Sequence, residues 1–407
     1  MRVNTWQAAA AGLALAAVSA TALADDAELW PVGNAISMWD EPYMVGSYRH
    51  WADIYPVRVV AAAAPVSELP RNEDLGEVPF WGNAEKLDLV SYIERARVTG
   101  LLVIKDGVIR LEAYGNGADE TSQMTSQSVA KSITATLVGI ALGEGLIESL
   151  DDPIDKYVPE LADSAYGGVP IEAILQMSSG VAWTEDYDSN TADSETMWIA
   201  VVQNRTLSAH DHLLGLQERA GEPYETFTYK GADTHALGWL VERVTGMSLS
   251  AYLETRLWQP MGMEADASWG LDGEGPQASE IASAAFNARL RDWGRLGLLM
   301  AQDGMWNGER LLPEGWVERA TRPSRPQVMP GKLYRGYPMG YQYQWWTYPG
   351  DRGTFTAQGV NGQFIYVDPS RDLVVVQTAV WPDFWDDTLE HMFNDFVKEV
   401  AKLTDGD

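Results

Sequence analysis

Residues 128–143 read SVAKSITATLVGIALG, and Lys131 is the only charged residue among them. A segment that is apolar or small on nearly every side predicts a helix that is buried on all of its faces. Gly143 and Gly145 indicate where this helix ends, because glycine is common just beyond the last helical turn. We expect the rest of the chain to be folded around this segment.

Lys131 is in an unusual position for a lysine. It falls in the first turn of the predicted helix, where burial and the positive end of the helix dipole both lower the pKa of an amine. Ser128 lies three residues earlier, so its hydroxyl and the amine share one helix face. This pairing predicts a serine nucleophile that is activated without histidine. The alternative is a helix cap followed by a lysine that extends its amine to the surface.

Strands are predicted before this helix and again near the C-terminus. Residues 101–104 and 108–112 are apolar runs on either side of Lys105-Asp106-Gly107, a pattern typical of a β-hairpin with an Asp-Gly turn. The other segments predicted as strands are 341–348, 363–367 and 373–379. The segments predicted as helices are 87–97, 171–177, 236–245, 285–303 and 385–403.

This order of elements predicts an α+β fold. Strands from both ends of the chain can join one antiparallel sheet, with the terminal helices on one face and a helical insertion on the other. The predicted organisation is a signal peptide over 1–24, an extended N-terminal arm over 25–85, an α/β subdomain formed by 86–126 and 340–407, and a mostly helical subdomain over 127–339. Ser128 then falls at the seam between the two subdomains, where clefts form.

The composition excludes several functional classes. The 407 residues are 46% hydrophobic, which is enough for a large core, and none of them is cysteine. The chain therefore has no disulfide, no thiol nucleophile and no thiolate metal site. Its 58 acidic and 29 basic residues give a net charge of −29. Such a surface repels nucleic acids and anionic lipids, so we expect no nucleic-acid partner. The sequence leaves the oligomeric state open.

The N-terminus has the pattern of a secretory signal peptide. Arg2 is followed by an apolar run over residues 8–20 and by the small-residue sequence Ala22-Leu23-Ala24. The run is too short and too rich in alanine to be a good membrane span. We therefore expect a periplasmic or secreted protein without stable membrane insertion, and a mature chain that starts near Asp25.

Other catalytic motifs are absent from the sequence. It contains no Gly-x-Ser-x-Gly elbow, no Walker loop, no complete Gly-x-Gly-x-x-Gly and no His-Glu-x-x-His. The one metal-like cluster is His210-Asp211-His212, which has no evident third ligand, so a solvated or capping role is favoured over zinc. We expect neither a metal nor another cofactor.

Six segments, in order and spacing, resemble the serine β-lactamase and penicillin-binding protein superfamily, and the resemblance extends from about Tyr43 to the C-terminal end. It is greatest to the class C-like branch that holds esterases, D-aminopeptidases and 6-aminohexanoate-dimer hydrolases. The segments are LLVIKDGVIRLEAYG (101–115), SQSVAKSIT (126–134), ILQMSSGVAWTEDYDS (174–189), FTYKGADTHALGWLVERVTG (227–246), NARLRDWGRLGLLM (287–300) and GVNGQFIYVDPSRDLVVV (359–376).

The resemblance implies roles for three side chains. Ser128 would be the acylated nucleophile, Lys131 its proton partner, and Tyr229 the tyrosine of the second family motif. The Tyr229 phenol could shuttle a proton to the leaving group if a nearby cation lowers its pKa, and Lys131 is the candidate cation. A core tyrosine with a satisfied hydroxyl is the alternative for Tyr229. No Glu-x-x-x-Asn element occurs up to Gly246, so deacylation would fall to the Tyr229 and Lys131 pair.

The resemblance also implies the surroundings of the nucleophile. The backbone amides of Ser128 and Val360 would form the oxyanion hole. Tyr187 falls where the amide-hydrolysing branch places a tyrosine in contact with substrate, and Gly359 ends the third motif, Ala357-Gln358-Gly359. Trp345, with its neighbour Trp346, is a candidate for lining a pocket for an apolar acyl group, although core packing is the simpler interpretation.

The sequence departs from the family pattern at two motifs. Gly231 replaces the asparagine of the usual Tyr-x-Asn, and the third motif lacks its usual lysine or histidine. Both changes disfavour a carboxylate-bearing lactam. The favoured function is therefore a serine esterase or amidase. The alternatives are a β-lactamase or D-Ala-D-Ala-type peptidase acting on cell-wall peptides, and a non-catalytic penicillin-binding-like sensor.

Overall fold

The structure, a computed structural model, describes residues 29–404 except 77, 83, 84, 188 and 190. The predicted signal peptide lies outside these residues. The α-helices are Met44–Arg49, Trp51–Ile54, Leu89–Arg95, Val129–Gly143, Ile171–Leu175, Asp193–Met197, Ala209–Gly215, Gly231–Thr245, Leu249–Leu253, Leu290–Ala301, Trp316–Thr321 and Asp387–Thr404. Short 3₁₀ or π-helical turns are Ser37–Trp39, Ile154–Lys156, Pro159–Asp163, Trp198–Gln203, Glu254–Trp258, Pro326–Val328 and Pro369–Arg371.

A seven-stranded antiparallel sheet combines strands from both ends of the chain, as predicted. In spatial order its strands are Gly340–Gln342, Trp345–Thr347, Phe355–Gly359, Gln363–Asp368, Leu373–Ala379, Val98–Lys105 and Val108–Tyr114. The predicted hairpin is confirmed: Asp106 and Gly107 have φ angles of 52° and 74°. Two successive positive φ angles are typical of the tight turns whose twist matches that of the flanking strands.

Alternation along the strands divides the core into two layers. Leu101, Val103 and Val375 face the C-terminal helix Asp387–Thr404, whereas Leu102 and Val376 belong to the larger cluster around the helical region. Successive side chains of a strand point to opposite faces of the sheet. A sheet that is covered on both faces therefore requires apolar residues at successive positions and not only at alternate ones. This explains why residues 373–379 form an unbroken apolar run.

A second, four-stranded sheet draws two of its strands from the region 127–339, which was predicted to be mostly helical. Its strands are Val57–Val60, Ala267–Gly270, Phe286–Arg289 and Gln123–Thr125. The predicted helix over 285–303 consequently begins only at Leu290. Both strands inside the helical region are only four residues long, the shortest run in which apolar-polar alternation indicates a strand, and Phe286–Arg289 leads directly into the helix Leu290–Ala301.

The segment predicted as an extended arm contains short helices as well as extended chain. Trp39 makes ring contacts with Tyr48, Trp51, Trp198 and Phe384 at centroid distances of 5.5–6.4 Å. Edge-on aromatic contacts of this kind stabilise packing beyond their buried area. The arm is thereby attached to the main body beside the start of the Val129–Gly143 helix.

The helix Val129–Gly143, the serine helix, lies between the two subdomains as predicted. All but its last two residues are buried, and it packs against the helix Gly231–Thr245 and the strand Phe355–Gly359. Two of its hydroxyls bond to neighbouring segments: Ser132 Oγ donates to the Gln344 carbonyl at 2.6 Å and Thr134 Oγ1 donates to the Ala282 carbonyl at 2.8 Å. These bonds fix the rotation of the helix about its axis.

Candidate active site

Ser128 and Lys131 are in direct contact. Lys131 Nζ lies 2.8 Å from Ser128 Oγ and 3.1 Å from the Ser283 carbonyl oxygen. Ser128 is the N-cap of the serine helix, yet its side chain makes no capping hydrogen bond, so the hydroxyl is available for chemistry. The Lys131 side chain is buried, with 3% of the residue exposed. The alternative in which this amine extends to the surface is therefore wrong.

The environment of Lys131 favours its neutral form. Burial lowers the pKa of the amine from 10.5 to about 8, and the negative charge of Glu185 partly opposes this shift. The direction agrees with the sequence prediction. At pH 7 about one molecule in ten then carries a neutral amine that can accept a proton.

Tyr229 completes a triad with Ser128 and Lys131. It lies two residues before the helix Gly231–Thr245, and its hydroxyl is near enough to the Ser128 side chain for that group to lower its pKa. Lys131 Nζ lies 4.9 Å from the centre of the Tyr229 ring, and the indole of Trp346 stacks on that ring at 5.6 Å.

The expected pKa of Tyr229 is corrected by this geometry. Burial raises the pKa of the phenol well above its usual value, although the Ser128 side chain acts in the opposite direction. The expectation that a cation lowers this pKa was wrong, because burial of the phenol outweighs the influences that lower its pKa. Tyr229 is therefore a protonated phenol and not a resident phenolate.

The backbone around Ser128 is constrained. Gln127 has a φ of 42° and is 3% exposed, a left-handed conformation that a non-glycine residue adopts only when its surroundings impose it. A Cβ atom on Gly359 would lie 2.6 Å from the Ser126 carbonyl oxygen. Glycine thus allows the end of the strand Phe355–Gly359 to approach the start of the serine helix, which brings Val360 beside Ser128.

Two lobes of one cavity meet at Ser128, and both are also lined by Glu185, Tyr187 and Val360. The first, which we call the polar lobe, has a volume of about 520 Å³; the second, the aromatic lobe, about 340 Å³. The polar lobe is lined further by Ile36, Trp39, Asp40, Met44, Gln127, Lys131, Ser194, Glu195, Met197, Trp198, Gln203, Gly231, Ser283, Ala284, Asn361, Pro382 and Phe384. The aromatic lobe is lined further by Tyr229, Tyr334, Tyr337, Trp346, Gln358, Gly359, Trp385 and Asp387.

Tyr187 lies at this junction, as the resemblance implied. Its hydroxyl donates to Glu185 Oε1 at 2.6 Å, and its ring packs on Phe384 at 5.4 Å. Glu185 is held in turn by the Trp183 indole N–H and by the backbone N–H of Gly231, the latter at 3.3 Å. The carboxylate is thus fixed close enough to Lys131 to influence its pKa.

The structure separates the two neighbouring tryptophans. Trp345 is 4% exposed and packs in the core against Phe355 at 5.2 Å, away from both lobes. Trp346 stacks on Tyr229 and lines the aromatic lobe. The prediction for Trp345 is therefore corrected to Trp346, because adjacent residues of a strand point to opposite faces.

Two functional groups were missed from the sequence: the Glu185 carboxylate and the Ser283 carbonyl. Glu185 is two residues from Tyr187, and that spacing in a cavity-lining segment was an available signal. Ser283 follows no recognisable motif and reaches Lys131 only through the tertiary fold.

The described residues do not form a metal centre. Among them, no group of three or more His, Cys, Asp or Glu side chains is arranged to hold a metal ion. His210 Nε2 lies 3.1 Å from Glu242 Oε2, and its ring stacks on Trp239 at 4.1 Å. Within the same described part of the chain, no helix is both long and apolar enough to cross a membrane.

Comparison with known proteins agrees with this geometry. Residues 90–383 match the family model described as Beta-lactamase. The chain belongs to the Beta-lactamase family. A 6-aminohexanoate-dimer hydrolase of Paenarthrobacter ureafaciens is 31% identical over 238 residues, which cover 57% of this chain and 59% of that protein. The chain thus spans about three fifths of the length of that relative.

Solved structures show the same β-lactamase/transpeptidase-like fold. A putative 6-aminohexanoate-dimer hydrolase from Bacillus anthracis superposes with a TM-score of 0.80 at 22% identity, covering 92% of this chain and 97% of that one. A family VIII carboxylesterase superposes at 0.58 with 17% identity, covering 76% and 95%. A penicillin-binding protein from Bacillus halodurans superposes at 0.59 with 18% identity, covering 76% and 99%.

Two features of this chain concern the walls of the two lobes. Residues 29–60 precede the matched region, yet Ile36, Trp39 and Met44 line the polar lobe. Among the described lining residues of both lobes, Lys131 is the only basic side chain. The third-motif position at which the resemblance implies a lysine or histidine is Ala357, which is buried, and the neighbouring Gln358 lines the aromatic lobe with an amide.

Proposed function

We propose that the chain is a serine hydrolase that cleaves an ester or amide bond of a small molecule through an acyl-enzyme on Ser128. The observation that supports this most directly is the 2.8 Å contact between Ser128 Oγ and the buried amine of Lys131, whose pKa is lowered to about 8. A base must be within hydrogen-bond reach of the proton that it removes and have a pKa near the working pH.

Acylation follows from this arrangement. Neutral Lys131 accepts the proton of Ser128 as Oγ forms a bond to the substrate carbonyl carbon. The oxygen of the resulting tetrahedral intermediate is stabilised by the backbone amides of Ser128 and Val360. Tyr229 then donates its proton to the leaving group, at the oxygen of an alcohol or the nitrogen of an amine, as the bond from this atom to the carbonyl carbon breaks. The proton held by Lys131 passes to Tyr229 and restores the phenol.

Deacylation reverses the same proton transfers with water in place of the leaving group. Water attacks the acyl carbon, its proton passes to the Tyr229 and Lys131 pair, and Ser128 Oγ recovers a proton as the acid is released. Glu185 and Tyr187 border both lobes and so hold the substrate on either side of the reacting carbon.

The charge of the cavity supports an esterase or amidase over a β-lactamase or cell-wall peptidase. A carboxylate-bearing lactam or peptide needs a cation beside the nucleophile. In the described cavity walls Lys131 alone is basic, and its amine is already bonded to Ser128 and the Ser283 carbonyl. The pairing of all three catalytic groups likewise supports turnover over a sensor function.

Three substrates test the proposal on the purified mature protein: p-nitrophenyl butyrate, butyryl p-nitroanilide and nitrocefin. We expect Ser128-dependent turnover of the ester or the anilide, and a butyryl adduct on Ser128 in a mass spectrum of quenched enzyme. Ser128→Ala should remove both. Rapid nitrocefin turnover would indicate a β-lactamase instead, and a stable penicillin adduct without turnover would indicate a peptidase or sensor.

Export is part of the proposal, since residues 1–24 have the pattern of a signal peptide. We expect a mature N-terminus near Asp25 when the full chain is expressed in a bacterial host. N-terminal sequencing of the periplasmic fraction measures this directly, and a full-length cytoplasmic product would contradict it.

A further inference from the structure

The two lobes differ in the catalytic group that each presents to the substrate. Lys131 lines the polar lobe, and Tyr229 lines the aromatic lobe. In the proposed mechanism the leaving group takes its proton from Tyr229 at the moment when its bond to carbon breaks. It must therefore lie within hydrogen-bond reach of the phenol, on the aromatic side of Ser128.

The two lobes also differ in the side chains that line them. The aromatic lobe has Tyr334, Tyr337, Trp346 and Trp385 around it, in addition to Tyr229 and Tyr187. Tyr337 and Trp346 meet edge to face at 5.6 Å, and Tyr334 meets Phe227 in the same way at 5.5 Å. Ring faces and edges are thus already oriented around an open volume of about 340 Å³, which is large enough for a further ring.

The charges on these walls limit what the aromatic lobe can bind. Its titratable groups other than tyrosines are Glu185 and Asp387, both acidic. A carboxylate on the leaving group would meet like charge there, since no basic side chain stands among the described residues of this lobe. A neutral aromatic group fits both the charge and the shape.

We propose that the substrate binds in one direction, with its acyl part in the polar lobe and an aromatic alcohol or amine as leaving group in the aromatic lobe. This inference rests on the proposed function and adds the substrate class: esters or amides of benzyl-type alcohols and amines. Tyr334 is the specificity residue most open to test, because it is 46% exposed at the mouth of the lobe and its removal spares the core.

Benzyl, cyclohexylmethyl and methyl esters of hexanoic acid test the proposal. They share the acyl group, and their alcohols have similar acidity, so kcat/KM compares leaving-group binding up to the end of acylation. We expect wild type to prefer the benzyl over the cyclohexylmethyl ester. Tyr334→Ala should reduce that preference by about three- to tenfold, which is the range of one aromatic contact. Tyr334→Phe keeps the ring and should keep the preference.

Ile36→Ala gives the matched control in the polar lobe. Ile36 is 73% exposed, so its truncation is tolerated, and it lines only the polar lobe. We expect it to change the ratio between benzyl hexanoate and benzyl acetate while the benzyl to cyclohexylmethyl ratio stays as in wild type.

Two results would overturn the inference. Equal kcat/KM for benzyl and cyclohexylmethyl esters in wild type and in Tyr334→Ala would show that the aromatic lobe does not bind the leaving group. Loss of acyl-chain selectivity in Tyr334→Ala, with loss of leaving-group selectivity in Ile36→Ala, would show the opposite orientation. In both cases Ser128-dependent hydrolysis persists, whereas absence of any such hydrolysis would refute the proposed function itself.

Discussion

Two buried lysines of this Beta-lactamase-family protein have nearly the same exposure and different surroundings. Lys131 is 3% exposed and Lys230 is 1% exposed. Lys131 Nζ contacts the hydroxyl of Ser128 in an open cavity. Lys230 Nζ contacts Ser179 Oγ at 3.2 Å and the Val181 carbonyl at 2.8 Å, outside both lobes.

The nearby carboxylate is arranged differently around each of the two lysines. Asp233 Oδ1 accepts from Ser179 Oγ at 2.7 Å, so Lys230 and Asp233 share one hydroxyl in a closed network. Burial raises the pKa of Asp233 to about 6, and the charge of Lys230 acts against that rise. At Lys131 burial is the larger influence on the pKa, and the charge of Glu185 partly opposes it. Lys131 thus combines burial with contact to a serine hydroxyl in a cavity, whereas Lys230 belongs to a closed network with a buried carboxylate.

Replacing each of the two lysines should have very different effects on catalytic activity, and this is the largest effect that we expect. Lys131→Met should lower kcat/KM by about a thousandfold or more, because the nucleophile and its base act as a unit. Lys230→Met should lower the kcat/KM of the folded protein far less. Steady-state hydrolysis of p-nitrophenyl butyrate, normalised to folded protein by circular dichroism, measures both. Similar losses in the two variants would remove the distinction.

The effects of the same two substitutions on the free energy of unfolding should have the opposite order. Lys230→Met leaves Asp233 buried without its counter-charge, a change that costs about 3–5 kcal/mol. Lys131→Met removes an amine that burial already disfavours, so we expect its free energy of unfolding to equal or exceed that of wild type near pH 7. Urea denaturation tests both variants. In Lys230→Met the further change Asp233→Asn should recover part of the loss, and failure to do so would place the cost elsewhere.

Tyr229 adjoins both sites, since it precedes Lys230 in sequence and its ring lies beside Lys131 Nζ. Tyr229→Phe removes only the hydroxyl and keeps the ring that stacks on Trp346. We expect kcat/KM to fall by about a hundredfold, in the range of lost general acid catalysis, with little change in melting temperature. A near-normal rate would assign the leaving-group proton to another donor.

The smallest expected effect is a change in the pH dependence of kcat/KM, and it tests the role of Lys131 most specifically. Because Lys131 must be neutral to accept a proton, kcat/KM should rise with pH and level off above an apparent pKa near 8. The Glu185 charge stabilises the protonated amine, so Glu185→Gln should move that midpoint to lower pH. Glu195→Gln, on the wall of the same lobe, is the control and should move it less. A shift to higher pH in Glu185→Gln would contradict the assignment.

The serine helix and the Asp-Gly hairpin could be predicted because their signals are local. An unbroken apolar segment with one lysine, or two apolar runs around Asp106-Gly107, carries its structure in its own spacing. The antiparallel sheet followed from the position of the strands at the two ends of the chain. The strands Ala267–Gly270 and Phe286–Arg289 were missed because four residues are the shortest run in which a strand pattern can be recognised.

The choice between Trp345 and Trp346 shows the limit of a sequence motif. Both residues are tryptophan and both belong to one strand, so their composition cannot tell which of them faces the cavity. A strand presents alternate residues to opposite faces, and the register with the neighbouring strand places Trp346 opposite Thr356. A shift of one residue would have exchanged the two rings.

The sequence by itself determined that Ser128 and Lys131 share one face of a buried helix, because residues three apart on a helix are neighbours whatever surrounds them. Only the tertiary structure decided the acidities of the site. The high pKa of Tyr229 and the influence of Glu185 on the pKa of Lys131 depend on which groups from distant segments remove water or supply charge around each side chain. Desolvation and Coulomb interactions act through space, so their outcome is fixed only when the chain has folded.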